Sequence, residues 1–293
     1  MLTPFITARI SPFLSATNTG IGNVLFQIAS TIGIGKTLNK KVVFPYVHEL
    51  SRKLLINYGY DHGTRLYRNI PNEPIELPMQ QMIEEVSNNS KRVDNNLYSP
   101  ISDNHITPIY GYLESPCYFN ECVDEIRTMF SPDEEAIYEL HSKYPILNEN
   151  VETISIHMCI YDGNPNEHYR LANSAPLEYY KNAILKLKKE NQVYFVFSNN
   201  ISQARIDLES FNLNVNFIFV TEQVDYMDLW LMSLCKNHIL SFSTFCWWGA
   251  FLATHPEKIV LYSKANYDVL KNMGLSHDEI TSKYFYSNYE CVN

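Results

Sequence analysis

Short apolar runs alternate with helical periods through the second half of the chain. Strand-like runs fall at 153–157, 193–198, 215–220, 238–242 and 258–262. Between them, over 176–189, 202–211, 225–236 and 244–254, apolar residues recur every three or four positions. That is the period of a helix with one buried face. Strands and helices alternating at these lengths predict a parallel sheet with right-handed crossovers. Ser202 and Asp225 are candidate N-caps for two of the helices.

The first half is less regular. A strand is predicted at 6–10, followed by a glycine turn bracketed by Gly20 and Gly22. A helix then carries Leu25, Ile28, Ala29 and Ile32 on its apolar stripe, and a second strand covers 42–44. Residues 46–110 show no strong period. A strand, a turn at Pro116 and an amphipathic helix with Val123, Ile126, Met129 and Phe130 inward are predicted over 109–130. Ser131-Pro132-Asp133 starts another helix, with Glu134 and Glu135 favoured in its first turn by the dipole. The segment 148–152 is the candidate hinge between a domain over 1–150 and one over 151–293. The fold class predicted is α/β, with two Rossmann-like domains.

Composition narrows the classes. Hydrophobic residues make up 45% of the 293 and charged residues 19%, a globular balance. A formal net charge of −9 argues against a nucleic-acid partner. The six cysteines show no paired CxxC spacing, and Cys235 and Cys246 lie in apolar contexts, which predicts buried free thiols and a reducing, cytoplasmic compartment. No apolar run approaches the ~20 residues of a membrane span. Pro4 and Arg9 interrupt the N-terminal stretch, so no signal peptide is predicted.

In a parallel α/β sheet, ligands bind outside the carboxyl ends of the strands. Four polar loops are predicted there: 157–169, Ser198-Asn199-Asn200, Thr221-Glu222 and the cluster Ser241, Ser243, Thr244. The last opens a helix, whose free N–H groups and positive dipole end attract anions. The alternative is that Ser243 or Thr244 only caps that helix while Trp247 and Trp248 fill the core. Convergence of four such loops favours the anion site.

Three segments in this order resemble the α-1,2-fucosyltransferases of glycosyltransferase family 11. They are Gly20-Ile21-Gly22-Asn23-Val24-Leu25-Phe26-Gln27, Gly111 to Phe119, and the pair Leu231 to Cys235 with Ser241 to Ala250. The resemblance runs nearly end to end. It implies a GT-B architecture with two domains facing a cleft, and a GDP-sugar held mainly by the C-terminal domain. The acceptor side falls to the N-terminal one. It also implies a glycan acceptor, inverting transfer of L-fucose to a galactose-type hydroxyl in α-1,2 linkage, and neither metal nor other cofactor.

The family's H-x-R-R-x-D motif falls on His157-Met158-Cys159-Ile160-Tyr161-Asp162, without either arginine. The implied catalytic residues are Asp162, Glu167 and His157. The implied donor contacts are His157, Cys159, Arg170 (the nearest replacement cation in sequence), Ser198, Asn199, Ser243, Thr244, Phe245, Gly22 and Asn23. His168 and Tyr169 are candidate acceptor contacts. The lost arginines leave two alternatives: a transferase with an altered nucleotide-sugar donor, or a non-catalytic nucleotide- or glycan-binding relative.

Overall fold

The structure is a computed structural model. It describes residues 5–8, 20–44, 65–71, 83–84, 93–98, 105–160, 174–221, 223–272, 274–283 and 289–293. The chain divides into two compact units, Met1–Ser131 and Pro132–Asn293. The division falls ahead of the 148–152 segment. The helix opened by Asp133 belongs with the second unit, where Tyr144 meets Phe195 edge-on at 5.4 Å.

The first unit is built on a parallel sheet of β1 (Phe5–Ala8), β2 (Lys41–Val42), β3 (Ile83–Glu84) and β4 (Ile106–Tyr110), in the order β2-β1-β4-β3. Helix α1 (Ile21–Thr37) is buried almost all round, so the predicted stripe of Leu25, Ile28, Ala29 and Ile32 is only part of its covered surface. Its buried polar residues are spent on backbone. Gln27 Nε2 donates to the Gly111 carbonyl and Ser30 Oγ to that of Leu113, each at 2.8 Å. Gly33 is required there, since a Cβ would lie 1.9 Å from the Tyr118 carbonyl oxygen. Helix α2 (Val123–Phe130) buries Ile126, Met129 and Phe130 as predicted, while Val123 is only half-buried.

The second unit opens with α3 (Glu134–Lys143), capped by Asp133, whose side chain accepts from Ala136 N at 2.8 Å. Its sheet comprises β5 (Glu152–Met158), β6 (Gln192–Ser198), β7 (Asn216–Phe219), β8 (Asn237–Ile239), β9 (Val260–Ser263) and β10 (Tyr289–Val292). Every pairing is parallel, and the order is β10-β9-β8-β5-β6-β7. Counted from β5 this is the doubly wound order 3-2-1-4-5-6, with its switch point between β5 and β8. The crossovers are α4 (Leu177–Leu187), α5 (Ile201–Ser210), α6 (Asp225–Leu234) and α7 (Thr244–Leu252). Beyond β9 lie α8 (Lys264–Asn272) and α9 (His277–Lys283). Two predicted caps are corrected. Asn200, not Ser202, caps α5 by accepting from Gln203 N, and Val224 precedes α6 with Asp225 already inside the first turn.

Strand β5 explains how this sheet presents chemistry. Ile154, Ile156 and Met158 enter the apolar core with Tyr179, Tyr180 and Ile184 of α4. The alternate residues are Thr153, Ser155 and His157, all buried. Strand side chains alternate between faces, so the opposite face is a line of polar groups. Each finds a partner near β8: Thr153 Oγ1 accepts from Lys236 N at 3.1 Å, Ser155 Oγ meets His238 Nδ1 at 2.8 Å, and His157 Nδ1 meets Ser241 Oγ at 2.7 Å. The rungs stitch β5 to β8 across the switch point, and the last reaches the carboxyl edge.

Candidate functional site

The end of β5 and the start of α7 meet at that edge. His157 is 7% exposed, and its ring lies 5.5 Å from that of Phe245. Its Nδ1 is near two groups, the Ser241 hydroxyl at 2.7 Å and the Cys159 sulfur at 3.9 Å. Helical spacing returns Cys246 to the same place, with its sulfur 3.6 Å from Ser241 Oγ and 3.3 Å from the Ser243 carbonyl. From the other side, Tyr180 of α4 donates its hydroxyl to the His157 carbonyl at 3.2 Å. A histidine, two thiols and two serines are thus gathered at one strand end.

These groups shift one another. Burial by itself depresses the His157 imidazole, but the facing sulfurs of Cys159 and Cys246 outweigh it and raise it well above its ordinary value. Burial alone would push the Cys159 thiol up. The His157 charge and the hydroxyls of Ser241 and Ser243 overcome that and hold it at about 7. Both shifts have the same source, since proton transfer from sulfur to imidazole places opposite charges side by side.

Ser243 is the N-cap of α7, its Oγ accepting from Phe245 N at 3.2 Å. Ser243 therefore caps the helix, and Thr244 is the first helical residue. Trp247 and Trp248 are core: they are 4% and 0% exposed and both pack on Phe251, Trp247 stacked at 5.1 Å.

Asn199, a predicted donor contact, joins two strand exits. Its Oδ1 accepts from Ile160 N at 2.8 Å and its Nδ2 donates to Ile160 O at 2.9 Å. The pair of bonds pins the exit of β5 to the exit of β6. Ser198 is also committed locally, its Oγ accepting from Asn200 N at 3.1 Å. Gly22 and Asn23 lie in the first turn of α1, in the first unit; Gly22 is inside the helix, not in a turn ahead of it. Asp162, Glu167, His168, Tyr169 and Arg170 lie outside the described residues.

Ser241 and Cys246 carry much of the site's chemistry beyond the predicted contacts. Ser241 was legible as part of the hydroxyl cluster. Cys246 was legible only in hindsight, as the residue three beyond the cap and so one helical turn above it. All six cysteines are free thiols, with Cys235 and Cys246 buried as expected. Among the described residues, no helix is long and apolar enough to cross a membrane.

The model of Glycosyl transferase family 11 matches residues 80–277, more than half of the chain. Escherichia coli O-antigen biosynthesis glycosyltransferase WbnK is 30% identical over 162 residues, 52% of this chain and 53% of its own length. The match thus spans about half the length of that relative. Escherichia coli alpha-1,2-colitosyltransferase is 26% identical over 261 residues, 83% of this chain and 88% of its own.

Fucosyltransferase NodZ from Bradyrhizobium shares the fold with TM-score 0.52 at 14% identity, covering 86% of this chain and 92% of NodZ. A NodZ alpha-1,6-fucosyltransferase crystal containing GDP gives 0.50 at 13% identity, with coverages of 86% and 93%. The parallel α/β units have the GT-B fold of NodZ, and the family match makes the chain a glycosyltransferase. The chain belongs to glycosyltransferase family 11.

Proposed function

We propose that this chain moves a 6-deoxyhexose, L-fucose in the first instance, from a guanosine-diphosphate donor to a galactose-type hydroxyl. Transfer is inverting, makes an α-1,2 linkage, and uses neither metal nor cofactor. The observation that carries the reading is the His157–Ser241 hydrogen bond at 2.7 Å. It fixes an imidazole beside the N-terminus of α7 at the switch point, where a doubly wound sheet receives phosphates. The GDP in the related NodZ crystal and the α-1,2 linkage in the colitosyltransferase's name support the choice of nucleotide and linkage.

Donor phosphates would face the imidazolium of His157, the hydroxyls of Ser241 and Ser243, and the first N–H groups of α7. Stabilising the charge of the departing diphosphate is a large part of such catalysis. A carboxylate, Asp162 or Glu167, would take the acceptor proton as general base. Cys159 and Ile160 in place of two arginines favour a second reading in which the donor is a different nucleotide-6-deoxysugar. The colitosyltransferase relationship is consistent with that variant.

Calorimetry with GDP, UDP and dTDP, followed by turnover of GDP-fucose with galactosyl acceptors, tests both readings. GDP is expected to bind and the other two not. Absence of GDP binding at millimolar concentration sinks the guanosine assignment. GDP binding with an intact GDP-fucose pool selects the altered donor.

A further inference from the structure

The cluster at the end of β5 has a chemistry that sugar transfer does not use. Cys159 is half-buried, not sealed, and its sulfur stands 3.9 Å from an imidazole nitrogen. That imidazole is held by Ser241, the Ser241 hydroxyl is met by Cys246, and Ser243 lies on the same turn. Among the described residues, the titratable groups that act on the Cys159 sulfur include His157 of β5 and Tyr180 of α4, and Cys246 of α7 acts on the same imidazole. A thiol with an imidazole and hydroxyls at hand is an activated nucleophile.

We propose that Cys159 is a covalent modification site, a nucleophilic thiol paired with His157 that small disulfides and soft electrophiles cap.

With a disulfide, the Cys159 thiolate attacks one sulfur. The reagent's S–S bond breaks, its other half leaves as thiolate, and a mixed disulfide forms at Cys159. The protein sulfur is oxidised and the departing sulfur reduced, so no further oxidant is needed. Capping removes the thiolate partner of His157 and fills the space beside α7.

A consequence for the donor rests on the nucleotide reading above. A diphosphate at this edge competes with the thiolate for the same imidazolium, so bound donor returns Cys159 to its unreactive thiol form. Capped protein, in turn, is closed to donor. The thiol's reactivity itself does not depend on that reading.

The test is carbamidomethylation of the intact protein by iodoacetamide, followed at each cysteine by peptide mass spectrometry between pH 6 and 9. The thiolate displaces iodide in a balanced substitution. Cys159, held at about 7, is expected to gain only about tenfold in rate over that range. An ordinary thiol gains about two hundredfold. Cys291, exposed and pushed upward by burial of its sulfur, is the internal reference. This ratio cancels differences in access.

His157→Gln is expected to steepen the Cys159 profile to that of Cys291. Should that variant fail to fold, the comparison within the unaltered protein decides alone. A Cys159 profile as steep as that of Cys291, or labelling no faster than that of buried Cys235, overturns the proposal. Incubation with glutathione disulfide should add one glutathione at Cys159. GDP should slow labelling at Cys159 and leave Cys291 unchanged. A shallow Cys159 profile indifferent to saturating GDP keeps the reactive thiol and removes the nucleotide from this edge.

Discussion

Asp228 and His238 flank the site's supporting layer, and burial moves both toward their neutral forms. Asp228, in the first turn of α6, is raised to about 7, chiefly by burial and next by Asp225. Gln223 Nε2 donates to its Oδ1 at 3.0 Å, which only partly offsets this. An acid raised in the native state binds more protons folded than unfolded between about pH 4 and 7. Stability is therefore lost as pH rises through that window. His238 is lowered to about 3 by burial and then by Lys258, and its Nε2 has no hydrogen-bond partner among the described residues.

For His238 the unfolded chain binds the extra proton, so its contribution is lost as pH falls below about 6.5. The two slopes oppose one another between pH 4 and 6.5. Asp228→Asn keeps an acceptor for Gln223 and removes the ionisation. It is expected to stabilise the protein at pH 8 by roughly 2–4 kcal/mol and by less than half as much at pH 5. Urea unfolding at the two pH values checks this, and an equal effect at both would show that Asp228 does not titrate near 7.

At the scale of elements, α6 and α7 pack through a glycine. A Cβ on Gly249 would sit 2.7 Å from Met232 Cβ and 3.0 Å from its sulfur. A Cβ cannot rotate out of the way, so the helices must part. Gly249→Ala is expected to lower stability by about 1–3 kcal/mol, despite the up to ~1 kcal/mol that alanine gains in a helix. Thermal unfolding measures the balance, and an unchanged midpoint would refute so close a contact.

The same scale shows what could be read in advance. Every strand and helix predicted over 153–262 exists, because an apolar strand core and a helical stripe each leave a period in the sequence. Caps were less legible: Asn200 and Ser202 are both good cap formers, and backbone geometry chose between them. β10 escaped notice because Tyr289–Val292 is four residues long with two exposed in its middle. At the site, the meeting of 157 with 241 follows from counting strand ends. The double hydrogen bond of Asn199 to Ile160 does not, since nothing in an Asn side chain announces a backbone partner 39 residues earlier.

For the whole molecule, the informative position is Cys159, where the family resemblance implies an arginine. Cys159→Arg should add a charge-assisted contact worth about 1.5–3 kcal/mol, tightening GDP roughly ten- to hundredfold by calorimetry. No change would mean that another cation already meets the phosphates. The thiol–imidazole pair is internally neutral when the proton has moved to the ring, so it presents little net charge until a ligand displaces that balance. An arginine is charged at all times. Substituting one for the other exchanges a responsive contact for a permanent one.

The three polar rungs between β5 and β8 have the same reach along the chain: each joins residues 83 or 84 positions apart. Three crossover helices, α4, α5 and α6, with the strands β6 and β7 between them, separate the partners. During synthesis or refolding, His157 is made early and waits for Ser241, and no local structure can stand in for it. Contacts between partners so far apart in sequence slow folding, and the histidine end of this site needs the whole of 157–241 before it is competent. A half-made chain carries the strand without the site.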